Sequence, residues 1–131
     1  MSSQHRIVSL DDVEDKAPGH GMGEITEARF AREDLGAEGI GLSHYRVKPD
    51  QRLGFGHRHG AAEEMYVVAS GAGRFKVEDE IFDVKARDVV YVAPTAMRAW
   101  EAGPDGLELL AFGAHVDGDA EMQPGWWPEG S

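Results

Sequence analysis

Residues 54–71 read GFGHRHGAAEEMYVVASG, and this stretch decides both the fold and the chemistry that we expect. His57 and His59 are one residue apart, and on a β-strand that spacing places both imidazoles on the same face. Glu64 follows after a short loop, at the start of the apolar segment MYVVA. Two imidazoles and a carboxylate from neighbouring strands are the minimal ligand set of a divalent-metal site with open positions. The alternative interpretation is two histidines with ordinary hydrogen bonds, because imidazole pairs on strands are common.

Turn-forming residues divide the chain into many short segments. The 17 glycines and 6 prolines are spread along the sequence instead of gathering in one tract. Short apolar segments with turn signals between them recur at about 8 to 12 residues, as in a β-sandwich or a small barrel. The predicted turns include one at Gly71 and Gly73 and another at residues 104–106. We therefore expect an all-β fold.

Length and composition narrow the function classes. A chain of 131 residues is expected to form one domain. Its net charge of −11 disfavours binding to nucleic acid or to an anionic membrane. The absence of cysteine excludes disulfides, thiolate metal clusters and cysteine nucleophiles. No apolar run reaches the about 18 residues of a membrane span, and acidic residues near the start argue against a secretory peptide. We expect a cytoplasmic protein.

The quoted stretch resembles the first conserved motif of the cupin superfamily, with Gly54 or Gly56, the HRH triplet, Glu64 and Gly71 at the matching positions. This resemblance implies a single-domain jelly-roll β-barrel, also called a double-stranded β-helix. It also implies that both histidines and the later glutamate point into the barrel. Glu64 keeps the six-residue step to Gly71, so Glu63 is expected to face solvent.

The second cupin motif departs from the family pattern. In cupins it supplies a third metal-binding histidine, and that position falls on Arg98 in one register and on Ala99 in the other. Neither residue ligates a metal, and an always-charged guanidinium would repel a divalent cation nearby. Three roles for Arg98 are open: pairing with Glu64, clamping a carboxylate or phosphate of a ligand, or pointing outward beside Glu101.

Further side chains are candidates for ligand binding. His44, on the strand before the HRH triplet, is either an additional ligand or a structural histidine. Tyr66 shares the face of Glu64 by alternation, so it lines either the pocket or the core. Trp100 stands where cupins often have an aromatic residue. His115 follows the last apolar strand and is expected to face solvent.

The predicted organisation has three parts. We expect an N-terminal arm over residues 1–38, a cupin barrel over residues 39–116 and a tail over residues 117–131. Two large rings in the tail, Trp126 and Trp127, are expected to cover one end of the barrel or to lie in a subunit contact. The resemblance to cupins also suggests a homodimer.

Two function hypotheses of different class remain. In the first, the barrel cavity binds a small anionic molecule, with Arg98 as its anchor. In the second, the protein is a metal-dependent cupin enzyme of the dioxygenase or sugar-isomerase type. His57, His59 and Glu64 would then hold Fe, Mn, Ni or Zn, and the sequence does not rank these ions.

Overall fold

Eight strands make up most of the fold in the computed structural model, which describes residues 4–131. They are β1 (Thr26–Phe30), β2 (Ile40–Val47), β3 (Gly56–His59), β4 (Glu64–Val77), β5 (Glu80–Lys85), β6 (Val89–Val92), β7 (Arg98–Ala114) and β8 (Ala120–Gln123). The helical parts are a single turn α1 (Arg32–Leu35) and two 3-10 turns (Leu10–Asp12 and Pro18–His20). No helix in the described part of the chain is long and apolar enough to cross a membrane. The all-β prediction is confirmed.

The two long strands β4 and β7 form the centre of a curled antiparallel sheet. β4 pairs along its length with β7, and it also pairs with β6 at its start and with β5 at its end. On the other side of β7 lies β2, which is followed by β1. The short strand β3 meets β7 at a single pair, His57 opposite Arg98, and pairs over its whole length with β8. The sheet therefore closes around one core as a jelly roll.

Alternation along the strands decides which side chains enter that core. Tyr66 and Val68 of β4 are almost fully buried, whereas Met65 between Glu64 and Tyr66 is exposed. The indole of Trp100 lies at the centre of the core, where three aromatic rings have centroids 5.0 to 5.6 Å from its own. Aromatic contacts of this kind contribute about 1 kcal/mol each beyond the area they bury.

The predicted turn at Gly71 and Gly73 is wrong, and close packing of the backbone explains why. β4 runs through both glycines without turning, whereas residues 103–106 of β7 pair with neither β2 nor β4 and bulge out of the ladder where the second turn was predicted. A Cβ on Gly71 would lie 2.1 Å from the carbonyl oxygen of Gly106, and one on Gly73 would lie 2.0 Å from that of Glu101. The pairing register shifts at the same place. These glycines therefore permit close approach of two strands at a bulge.

Segments of the predicted arm and tail both join the sheet. β1 supplies an edge strand next to β2, and β8 lies beside β3. In the tail, the indole N–H of Trp127 donates to the carbonyl of Leu53 at 2.7 Å, and the Arg52 guanidinium lies 4.3 Å from a Trp127 ring. The ammonium of Lys76 lies 3.4 Å from the ring centroid of Trp126. Both tryptophans therefore pack against the barrel of their own chain.

Candidate metal centre

The start of β4 and the short strand β3 bring three metal-ligating side chains together. His57 and His59 leave the same face of β3, as the HxH spacing predicts, and Glu64 is the first residue of β4. One ligand atom from each lies within 4.8 Å of the other two. All three side chains are partly buried. Glu63, one residue earlier, is exposed.

A single carboxylate oxygen is the centre of this group. The Tyr66 hydroxyl donates a hydrogen bond of 2.5 Å to Glu64 Oε1. The Nε2 atoms of His57 and His59 lie 3.4 and 3.1 Å from the same oxygen. Arg98 Nη2 lies 3.4 Å from it. Four potential donors thus surround one anionic oxygen.

This arrangement fixes the protonation of its members. Burial alone would raise the pKa of Glu64, but the hydrogen bonds of His57 and Tyr66 and the adjacent His59 imidazole outweigh it and hold that pKa far below its usual value. Burial lowers the pKa of His57, which keeps its imidazole neutral at pH 7. Burial and the neighbouring carboxylate raise the pKa of Tyr66, so its hydroxyl stays protonated. A carboxylate and a neutral imidazole are the forms that ligate metals.

Arg98 lies fully buried behind Glu64. Its Nη1 donates to the carbonyl oxygens of Pro94 and Ala96 at 3.2 and 2.8 Å, whereas Nε and Nη2 have no hydrogen-bond partner in the described part of the chain. Of the three roles left open by the sequence, the structure shows the pairing with Glu64. The outward orientation beside Glu101 is wrong, because the Arg98 side chain is 0% exposed. Of the two residues that could stand at the third-histidine position, Arg98 reaches the site and Ala99 does not.

A cavity of about 180 Å³ opens beside two of the three candidate ligands, His59 and Glu64. Glu64 and His59 form part of its wall, together with Ser43 of β2. Arg32 and His115 also line the cavity and contribute a guanidinium and an imidazole to its wall. His115 was expected to face solvent, but the structure places it in this wall with a side chain that is 30% exposed. No sequence signal marked Arg32 or Ser43, because both come from segments without a motif.

The four predicted ligand-binding residues do not line this cavity. Arg98 lies behind Glu64, and Tyr66 and Trp100 are 0% and 1% exposed in the core. His44 is on the opposite face of the sheet, where its Nε2 lies 2.7 Å from Glu108 Oε2. The structure therefore does not bring His44 to the candidate metal ligands. Of the two roles left open by the sequence, His44 has the structural one, because the inner face of β2 carries the neighbouring odd-numbered residues.

Comparison with known proteins gives the fold. No family model matches the chain, and no curated protein matches it at a significant level. Solved structures do match: a cupin protein from Bacteroides fragilis has 19% identity and a TM-score of 0.71, covering 90% of this chain and 89% of that one. This chain has the cupin fold. The polyketide cyclase RemF from Streptomyces resistomycificus matches this chain with 17% identity and a TM-score of 0.73, over 95% of this chain and 87% of that one.

A sugar phosphate isomerase from Silicibacter pomeroyi has the same fold. It shares 17% identity with this chain at a TM-score of 0.69, over 88% of this chain and 80% of that one. At these identities the likeness concerns the path of the backbone, and the chemistry has to be argued from the side chains.

The donor set of the site fits a divalent transition metal. Two imidazoles and one carboxylate are the ligands of open metal sites in other proteins. His59 Nε2 is buried and has no hydrogen-bond partner among residues 4–131, although it faces the Glu64 carboxylate. A buried nitrogen without a partner is a cost that a ligated ion would remove. Against this stands the Arg98 guanidinium, which supplies a positive charge beside Glu64 already.

Proposed function

We propose that the cupin holds a divalent transition metal on His57, His59 and Glu64, and that a small anionic molecule binds beside it in the cavity. The observation that carries the proposal is the convergence of the three ligand atoms within 4.8 Å at the wall of a cavity. When bound, such an ion acts as a Lewis acid on an oxygen atom of the ligand. An enzyme of the dioxygenase or sugar-isomerase type is the catalytic form of this proposal.

The residues around the ligands have separate tasks. Tyr66 and Arg98 hold the Glu64 carboxylate in place from behind, so it enters the site as an anion with little freedom. Arg32 and His115 contribute positive or titratable groups to the wall and favour a carboxylate or phosphate on the ligand. Arg32 also donates to the carbonyl of Ala37 at 3.1 Å, which orders its side chain.

The size of the cavity limits the ligand. A dry protein cavity of about 150 Å³ accommodates a benzene molecule. The cavity of about 180 Å³ is therefore suited to a ligand of similar size, and larger groups would have to extend out of it. A small hydroxy acid, keto acid or sugar fragment meets this limit.

A metal-free binding protein is the second candidate function, and one observation favours it. The buried guanidinium of Arg98 already neutralises Glu64, with Nη2 3.4 Å from Oε1. In this state the ion pair needs no metal, and the ligand contacts the cavity wall alone. The two candidate functions differ in whether a metal ion occupies the site formed by His57, His59 and Glu64.

Metal titration of the purified, untagged cupin distinguishes them. We expect the wild type to bind about one Zn²⁺ or Mn²⁺ per chain and His57→Ala to lose this binding, because two ligands hold an ion poorly. His20→Ala, which changes an exposed histidine in a 3-10 turn, is the matched control. Stoichiometry below about a tenth of an ion per chain, after reconstitution, would rule out the metal proposal and leave the metal-free candidate.

A further inference from the structure

The tail contributes a carboxylate to the surroundings of His59. Asp119 lies just before β8, and its Oδ1 accepts hydrogen bonds from the backbone N–H groups of Gly60 and Ala61 at 2.8 and 3.0 Å. Its Oδ2 accepts from the N–H of Ala62 at 3.1 Å and lies 3.5 Å from His59 Nδ1. The carboxylate is 8% exposed. One side chain of the tail therefore organises the turn after the HRH triplet and reaches its second imidazole.

Pairing of the backbone brings Asp119 to this place. β8 runs antiparallel to β3, with His57 opposite Met122 and His59 opposite Ala120. The N–H of Gly60 also donates to the carbonyl oxygen of Asp119 at 3.1 Å. Because β3 meets β7 at only one pair, β8 is its principal neighbour. The position of the HRH triplet therefore depends on the tail.

A carboxylate at Nδ1 determines what the opposite nitrogen of the ring can do. Two carboxylates face the ring: Asp119 Oδ2, 3.5 Å from Nδ1, favours a proton there, whereas Glu64 Oε1, 3.1 Å from Nε2, favours one on Nε2. Because Nε2 makes no hydrogen bond to any described residue, we assign the proton of the neutral ring to Nδ1 and the lone pair to Nε2. His59 Nε2 is the atom that faces Glu64, and it is buried without a hydrogen-bond partner. This is the tautomer that ligation of a metal through Nε2 requires.

We propose that Asp119 is a positioning residue of the metal centre, holding the His59 imidazole by its Nδ1–H so that Nε2 is directed at the ion. This inference rests on the proposed function, because it assigns a role to a residue outside the three ligands. Asp119 lies 60 residues after His59 in the sequence and belongs to neither cupin motif. A purely structural role, in which the carboxylate only caps the turn at Gly60, is the competing explanation.

The substitution Asp119→Asn separates the two roles. An asparagine can still accept N–H groups of the turn through its carbonyl oxygen, so much of the capping remains. Its amide group would occupy the place of Oδ2 and present a donor to Nδ1, which favours the opposite tautomer. Asp117→Asn is the matched control, since Asp117 is exposed in the same tail and pairs with His115 instead.

The first readout is ¹⁵N NMR of the histidine rings in metal-free protein at pH 8. We expect the Nδ1 of His59 to be protonated in the wild type and in Asp117→Asn, and to lose the proton in Asp119→Asn. An unprotonated Nδ1 in the wild type, or an unchanged ring in a folded Asp119→Asn protein, overturns the inference. Because the wild type alone can refute the proposal, it stays testable if Asp119→Asn does not fold.

The second readout is the affinity for Zn²⁺. Loss of a carboxylate partner of a ligating histidine reduces metal affinity by about 10- to 100-fold. We expect this reduction in Asp119→Asn and no change in Asp117→Asn. Equal affinity in both variants would contradict the positioning role. Absence of Zn²⁺ binding in the wild type would instead refute the proposed function, and the metal-free NMR experiment would still decide the role of Asp119.

Discussion

Replacement of Arg98 by histidine tests how the second cupin motif controls this site. Arg98 Nη2 is 3.4 Å from Glu64 Oε1, and a metal ion bound to that oxygen at about 2.1 Å would lie within about 5.5 Å of the guanidinium. At this distance the repulsion between the guanidinium, with charge +1, and a divalent ion is about 1.5 kcal/mol in water and about 6 kcal/mol at an effective dielectric constant of 20. Arg98→His removes this repulsion and offers a third imidazole. We therefore expect metal affinity to rise between about 10-fold and about 10⁴-fold.

The assay is a Zn²⁺ titration in competition with a chelator, on protein freed of metal. Arg98→Gln separates the two contributions, because it removes the charge without adding a ligand, and its affinity should fall between those of wild type and Arg98→His. Arg87→His is the control, since it makes the same change at an exposed position between β5 and β6. Folding is verified by circular dichroism, because a buried carboxylate without its partner costs about 3 to 5 kcal/mol. If folded Arg98→His protein binds Zn²⁺ no more tightly than the wild type, the electrostatic argument is wrong.

Three other predictions concern acid stability, packing and assembly. Because the pKa of Glu64 is depressed in the folded state, its stabilising effect is complete above the reference pKa of 4.5 and is lost as the pH falls below it. In urea unfolding between pH 4.5 and 3, Glu64→Gln should therefore lose less stability than the wild type, by up to about 1.4 kcal/mol per pH unit, and equal slopes would contradict this. Gly71→Ala should destabilise the fold by at least about 2 kcal/mol, because its Cβ would meet the Gly106 carbonyl at a φ of +78°; an unchanged urea midpoint would refute the close packing of these strands. We propose that the homodimer forms through the outer sheet face, where Met65 (52% exposed) lies opposite Tyr91 (57%); Met65→Lys should then sediment as a monomer, and a monomeric wild type would contradict the proposal.

The local features of the site could be predicted from the sequence. The HxH spacing and the distance to Glu64 depend on one short strand, one loop and the start of the next strand, so period-two alternation was enough to bring the three ligands together. The resemblance to the cupin motif, with its six-residue step to Gly71, selected Glu64 over Glu63. It also identified Arg98 as the residue at the altered position, although it left the register open by one residue.

The long-range features could not be predicted in this way. Gly71 and Gly73 have the composition of a turn, and only the approach of β7 shows that they allow two backbones to touch. The local pattern left the role of His44 open between ligand and structural histidine, because its partner, Glu108, is 64 residues away. Asp119 has no motif around it, and its contact with His59 depends on the path of the tail back to β3. In each case a tertiary contact overrides what the local pattern indicates.

The most direct test of the metal proposal is anomalous diffraction from a crystal of the cupin grown with Mn²⁺ or Zn²⁺. The account predicts one strong anomalous peak per chain, about 2.0 to 2.2 Å from an imidazole nitrogen of His57, an imidazole nitrogen of His59 and a carboxylate oxygen of Glu64. A crystal with no peak there, in which Arg98 and Glu64 keep their ion pair, would contradict it.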